Sequence, residues 1–477
     1  MTGEREMLAG WAGLRHHLKA FVAEALELLE RHRELPRPPF APLDLHEPPL
    51  FLPELHMTSS FRDLESYLHG STLHDTLEGI GHTWFWHQEV FPELFLELLV
   101  HRARGQRPTA RDFDRLLAAA GRELYRSRSH LRLLVVVYGL PASRREVRVN
   151  GAARLVPVDM RNSPHQLYRH LALDRQRGDT ERDVFNGHLL AVDEFPERGG
   201  DGTQAVRAYE QMQRTAAQVV LAGRLGLGHV VTADTYFCHV SGFPLFPLMH
   251  WPNPDLRGGR VETLREWTPR HSRRLRRLLS VIQSSGQRGS GRLQTALRRF
   301  DQAFRFRENT SNIIDLIVCL ESIMDVQQEE LRRRLSLRVA LLLGNTESIR
   351  RSIYELVSTA YDIRNALVHG RKNPEKAIRD GLRRYYTGYE QTHAAESLED
   401  DLGRLTGELR AVVRLCISAF MGCELGHGEW PAQENWDTAL FSRKALHDLQ
   451  VKLRPPSWWG VLRDRLRSLP VRAGGAE

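Results

Sequence analysis

From Arg270 to Met421 the chain is written almost wholly in the helical period, which restricts that half to helices packed on one another. A basic helix at Arg270–Ser284 is followed by a glycine-rich, flexible stretch, Gly286–Gly291. Five helical segments come next, at Leu293–Phe306, Ser311–Val326, Glu330–Leu343, Glu347–Val368 and Leu398–Met421. Upstream, Trp251–Arg260 reads WPNPDLRGGR, whose prolines and glycines end any regular element, and the main boundary falls there.

The half before that boundary mixes both periods. An amphipathic helix covers Glu4–Arg33, with Leu8, Trp11, Leu14, Leu18, Phe21, Ala25 and Leu28 in register, and a run of prolines from Pro36 to Pro53 stops it. Further helices are expected at Ser60–His69, Phe91–Arg104, Asp112–Ser127 and Ala205–Leu225. Strands are expected at Leu131–Tyr138, Glu146–Val149, Arg154–Val158, Phe185–Val192 and Val230–Val240. Asn150-Gly151 between two short apolar runs is a hairpin signal. The fold class is therefore mainly α, with an α+β N-terminal domain before a helical C-terminal one. The chain divides into four parts: a helix and proline-rich connector at 1–54, an α+β domain at 55–260 to which the sequence assigns no role and for which a sensor or regulatory one is a candidate, a helical domain at 261–425, and an irregular tail at 426–477. Trp430, Trp436, Trp458 and Trp459 are docking points for that tail.

Composition excludes several classes. At 477 residues with 41% hydrophobic and 26% charged side chains, the chain is neither disordered nor fibrous. Four scattered cysteines, with no CxxC pair, make no disulfide framework. Cys416, Cys423 and His427 fit no zinc spacing, so reduced structural thiols are expected. The apolar run around Leu131–Leu140 is too short to span a bilayer, and MTGEREMLAG lacks the order of a secretory signal, so a cytoplasmic protein without a membrane partner is expected. The net charge is +8, and only five of the 67 basic residues are lysine. Arginine's planar fork suits phosphate, although a GC-rich genome gives the same bias with no functional cause.

The segment richest in chemistry is Tyr361-Asp-Ile-Arg-Asn-Ala-Leu-Val-His-Gly370, which closes the helix carrying Ile349, Ile353, Leu356, Val357, Ala360, Ile363 and Leu367. Gly370 suits a left-handed cap and Pro374 stops continuation. Asn365 and His369 lie ~40° apart on the helix and share a face. Arg364 lies ~140° from His369, so only its long side chain or a distorted last turn brings it round. The negative end of the helix dipole favours a cationic imidazolium at His369. A histidine that exchanges protons near neutrality, beside an arginine that holds phosphate, supplies what metal-free RNA cleavage needs. A base activates the 2′-hydroxyl, cations stabilise the crowded phosphate, and an acid protonates the departing 5′-oxygen. DNA lacks that internal nucleophile.

Arg364-Asn-Ala-Leu-Val-His369 resembles the arginine–polar–x3–histidine motif of HEPN domains. The wider stretch, from Asn312-Ile-Ile-Asp-Leu-Ile through Leu335-Ser-Leu-Arg-Val-Ala to Gly370, is similar to the ApeA-like HEPN subgroup. The resemblance covers roughly Leu293–Met421. It implies a HEPN-like helical bundle that dimerises, so that two motif copies line one RNA-cleaving cleft, with no metal or other cofactor. By that similarity Arg364 and His369 are catalytic, Asn365 supports them, and Glu321 matches an acidic position of the second helix. Such proteins serve in abortive-infection defence against phages or as toxins, which implies a phage-derived or cellular trigger at the N-terminal domain. The N-terminal region does not match the β-rich partner domain associated with ApeA. A non-catalytic RNA-binding or regulatory HEPN protein, or a helical interaction scaffold, is the alternative.

The bare spacing also occurs at Arg62/His69, Arg182/His188, Arg224/His229 and Arg265/His271, but without the surrounding helices. Between Arg270 and Arg307 eleven arginines are opposed only by Asp301, a surface suited to tracking phosphates if it is not simply a solvated helix face. Arg298, Arg299, Arg305, Arg307, Arg371 and Lys372 are the expected RNA contacts. Phe300, Phe304 and Phe306 among them are expected in the core. His74, His82, His87 and Glu89 are suitable metal ligands at no established spacing, and no metal site is expected.

Overall fold

A computed structural model describes residues 2–31, 53–70, 95–96, 99, 108–124, 130–140, 146–157, 188–195, 203–227, 232–240, 249–252, 267–288, 291–304, 308–324, 330–369, 373–386, 397–423, 430–432, 435–436, 438–439 and 442–452. It is mainly α-helical. The chain forms two compact units. The first holds 1–220, 233–253 and 260–268; the second holds 221–232, 254–259 and 269–477.

In the first unit α1 (Thr2–Arg31) packs on α2 (Ser59–Gly70). Leu14, Leu18, Phe21 and Ala25 are buried as their spacing requires, facing Phe61, Leu64 and Leu68, with the Phe21 and Phe61 rings edge to face at 5.6 Å. Helix α1 therefore shares its core with α2. A side chain on Gly13 would overlap the Tyr67 ring, so glycine is what allows this close approach. Helix α3 (Ala110–Leu124) buries Phe113, Leu116 and Leu117.

The sheet of this unit runs in the order β2-β3-β4-β1-β5-β6, with β1 Leu131–Tyr138, β2 Val147–Arg148, β3 Ala153–Pro157, β4 His188–Glu194, β5 Thr232–Val240 and β6 Met249–Pro252. The pairings β1–β4, β2–β3, β3–β4 and β5–β6 are antiparallel. The Asn150 side chain accepts from the Ala152 and Ala153 amides at 2.9 and 2.6 Å, which closes the β2–β3 hairpin. Strand β6 takes in Trp251 and Pro252, residues expected to break structure; at the edge of the sheet a proline forfeits no ladder bond.

Helix α4 (Thr203–Leu227) ends within the second unit. There Leu225 is buried, Gly226 abuts Leu278, and the Arg224 guanidinium pairs with Asp301. The unit continues through α5 (Pro269–Arg288), α6 (Gly291–Gln302), α7 (Asn309–Met324), α8 (Leu331–Leu343), α9 (Glu347–Val368), α10 (Pro374–Tyr386), α11 (Leu398–Gly422) and α12 (Arg443–Lys452). Helices α7, α8, α9 and α11 pack on one another through Ile313, Leu316, Leu320, Val339, Ile353, Leu356, Ile363, Leu409, Val413 and Ile417. Thr346 caps α9 by accepting from the Ile349 amide, and Ser397 with Asp400 forms a capping box on α11. At its other end α7 is clasped by two arginines. Arg292 donates to the Ser322 and Ile323 carbonyls at 3.1 and 2.7 Å, and buried Arg338 donates to Met324 O at 2.7 Å.

Three expectations for this half are corrected. Helix α5 continues to Arg288, because a glycine at 286 costs only about 1 kcal/mol while the stripe Leu275, Leu278, Leu279 and Ile282 is buried. Pro374 stops α9 but opens α10, since the first helical position uses no N–H, and Asn373 caps the start through the Lys376 amide. The tail is not irregular throughout, because α12 lies within it. Trp436 is buried and Trp430 packs edge to face on Phe420, whereas Trp458 and Trp459 lie outside the described residues. No helix among the described residues is long and apolar enough to cross a membrane.

Between α10 and α11 the Tyr385 hydroxyl donates to Glu408 Oε2 at 2.7 Å. Burial pushes the Glu408 carboxyl above its ordinary 4.5, with the Tyr385 bond and the Arg404 charge opposing. From 4.5 to that raised value the folded chain keeps a proton that the unfolded chain has lost, so stability falls as pH rises through this window. Glu408→Gln keeps an acceptor for Tyr385 and removes the titration. Its melting temperature is expected to fall less steeply with pH above 4.5 than that of the wild type; equal slopes would refute the raised carboxyl.

Candidate functional site

The end of α9 gathers the chemistry. Its apolar stripe, Ile353, Leu356, Val357, Ala360 and Ile363, is buried against α7, α8 and α11, which fixes the rotation of the helix and sets where its last polar residues emerge. The arginine that the helical wheel places away from His369 is turned by its own side chain. Arg364 Nη1 donates to Asn365 Oδ1 at 3.0 Å, which draws the guanidinium onto the Asn365 face. Arg364 Cζ also sits 5.8 Å from the centre of the Tyr361 ring. Its Nε is buried and has no acceptor among the described residues.

Glu321, on α7, faces the same place. Burial raises its carboxyl pKa, and the charge of Arg364 opposes that rise. Tyr361 senses both neighbours. Its hydroxyl pKa is raised by burial and then by the Glu321 charge, while Arg364 and a hydrogen bond from the Asn365 side chain pull it down. Glu321, Tyr361, Arg364 and Asn365 thus form one cluster, with Tyr361 buried and the other three half-buried. Tyr361 is a member to which sequence reasoning assigns no role. Its position four residues before Asn365, on the same helical face, is the available signal.

His369 is placed differently. It is the C-cap of α9, with φ −94° and ψ 10°, and its backbone N–H donates to Asn365 O at 3.1 Å. The residue is exposed, and its ring makes no hydrogen bond with a described residue. Within one chain, then, Arg364, Asn365 and Glu321 come together, and His369 stands one turn further on at the surface. The expected cap at Gly370 and the expected contacts Arg371 and Lys372 lie outside the described residues, as do Arg305 and Arg307.

The remaining expected RNA contacts differ in availability. Arg298 is exposed on α6. Arg299 is held in an ion pair with Asp315 at 2.9 Å, which directs its charge inward. Phe300 and Phe304 are core residues, stacked edge to face at 5.1 Å. The competing spacing motifs are also placed: Arg62 donates to Met57 O at 3.0 Å, and Arg224 is buried in its pair with Asp301. His74, His82, His87 and Glu89 lie outside the described residues, among which no group of three or more His, Cys, Asp or Glu side chains is arranged to hold a metal. Cys319 and Cys416 are free and fully buried, and burial pushes both thiols up, away from the reactive thiolate. The chain matches no protein-family model, no curated protein and no solved structure.

Proposed function

We propose that the chain is a metal-independent endoribonuclease of the HEPN class, working as a cytoplasmic homodimer in antiphage defence or as a toxin. The observation that carries this reading is the Arg364–Asn365 bond: it folds a guanidinium onto the Asn365 face at the end of a four-helix core, with Glu321 beside it. In the proposed reaction the 2′-oxygen attacks phosphorus and the bond to the 5′-oxygen breaks. His369 imidazoles, one from each copy, take the 2′-hydroxyl proton and supply one to the 5′-oxygen. Arg364 offsets the charge on the phosphate oxygens. Asn365 and Tyr361 hold Arg364 in place. Residues 55–260 hold the enzyme silent until a phage-derived or cellular trigger acts on them.

The test is incubation of the purified protein with total RNA in EDTA, with and without infected-cell extract as trigger. Cleavage leaving 2′,3′-cyclic phosphate and 5′-hydroxyl ends supports the reading. Cleavage that requires added metal, or that leaves 5′-phosphates, refutes it. Tyr361→Phe removes the hydroxyl and its Asn365 bond but keeps the ring under Arg364. It is expected to lower the cleavage rate about 2- to 10-fold, the worth of one hydrogen bond, with the melting temperature little changed. A second reading, in which the same cleft binds RNA without cutting it, is favoured by the His369 ring standing apart from the Arg364 cluster.

A further inference from the structure

The arginine-rich block from Arg270 to Arg307 divides into two kinds of side chain. On α6 two guanidiniums turn inward, with Arg292 bonding the end of α7 and Arg299 pairing with Asp315, while Arg298 is exposed. On α5 the Arg274 guanidinium is buried beside Gly226, and four others turn outward. Arg270, Arg273, Arg276 and Arg277 are exposed, and none pairs with a carboxylate among the described residues. Among the described residues Arg276 bonds only the Ser272 carbonyl of its own helix. At ~100° per residue the four occupy an arc of ~120°, opposite the buried stripe of Leu275, Leu278, Leu279 and Ile282. Ser280 and Ser284, both exposed, prolong the arc, giving a ridge of ~21 Å along the axis.

We infer that this face of α5 is a docking ridge for the sugar–phosphate backbone of single-stranded RNA, delivering the strand to the ribonuclease; the inference rests on the proposed function. Four forked guanidiniums on one face are phosphate donors, and the Ser280 hydroxyl follows them along it. The arc exposes no aromatic side chain on which a base could stack, so the ridge reads backbone and not sequence. It also lacks the apolar centre that a protein interface requires, which argues against an acidic protein partner. His271, half-buried beside the ridge, has its pKa lowered by burial and then by the Arg274 and Arg270 charges.

The test measures binding of a short unstructured RNA oligonucleotide across salt concentrations, in the full-length His369→Ala protein so that cleavage does not intervene. Arg270, Arg273, Arg276 and Arg277 are changed together to Gln, and in a second protein to Lys. With ~0.7 counterions released per phosphate, the Gln protein is expected to lose about 3 from the slope of log K against log salt and more than tenfold in affinity near physiological salt. The Lys protein keeps most of the slope. Arg379→Gln, which removes an exposed arginine already paired with Glu375, leaves it unchanged. A matched DNA strand loses as much as RNA, because the ridge contacts phosphate and not the 2′-hydroxyl. A Gln protein that keeps the wild-type slope overturns the inference, as does one that loses binding to polyglutamate but not to RNA. Failure of the enzyme reading looks different: no RNA is cut by the wild type under any trigger, while the ridge substitutions still weaken RNA binding.

Discussion

His369→Ala and Arg364→Ala are each expected to lower EDTA-resistant RNA cleavage at least about 100-fold, the scale of losing a general acid–base group or a charge-stabilising donor. The two substitutions have different structural costs, which makes the pair informative. His369 is an exposed cap whose ring bonds none of the described residues, so its replacement is expected to leave the melting temperature in place and any lost activity is chemical. Arg364 is half-buried and tied to Asn365, so its removal also frees Asn365 and uncovers the Tyr361 ring. Arg364→Lys separates these contributions: it keeps a cation but not the planar fork, and activity is expected to stay far below wild type. Full cleavage by the His369→Ala protein would end the proposed mechanism.

Asp301→Ala is expected to destabilise the second unit by about 3–5 kcal/mol, the cost of removing one partner of a buried ion pair. The Arg224 side chain is 6% exposed and Asp301 14%. Arg410 lies on the same ring: the Arg224 and Arg410 guanidiniums sit 4.8 and 4.7 Å from the centre of Phe304. Arg410 already registers the crowding, its pKa pulled down to about 10 by burial and then by the Arg224 charge. Without Asp301, two cations face one aromatic ring with a single carboxylate fewer to balance them. Arg224→Met in the Asp301→Ala background removes one of them and is expected to recover a large part of the loss, read from the urea transition of the full chain. A single substitution costing less than about 1 kcal/mol would mean the pair is solvated as a surface bridge is.

Periodicity located most of the helices and strands. Leu131–Tyr138 and Glu347–Val368 stand where the pattern puts them, because a β-branched run bounded by polar residues and a capped apolar stripe each leave little choice. The hairpin at Asn150 is equally plain. What escapes is decided by partners distant in sequence. Helix α10 has a proline at its start that reads as a stop until its first turn is seen to need no N–H there. The arginines of α5 and α6 look alike in sequence, and on α6 the positions of Asp315, Ser322 and Ile323 turn Arg299 and Arg292 inward. At the candidate site, the residue types and spacing of Arg364, Asn365 and His369 are legible. The rotation of Arg364 onto Asn365 and the membership of Tyr361 are not, because a wheel records where a side chain starts and not where its end group rests.

The clasp at the end of α7 bears on mechanical tolerance. Glu321 immediately precedes Ser322, whose carbonyl is held by Arg292 from α6, and Arg338 from α8 holds Met324 two residues further on. Sliding α7 along its axis would break three bonds from charged donors anchored in two separate helices. Glu321 therefore behaves as a fixed post, and any play between it and Arg364 comes from α9 or its terminus.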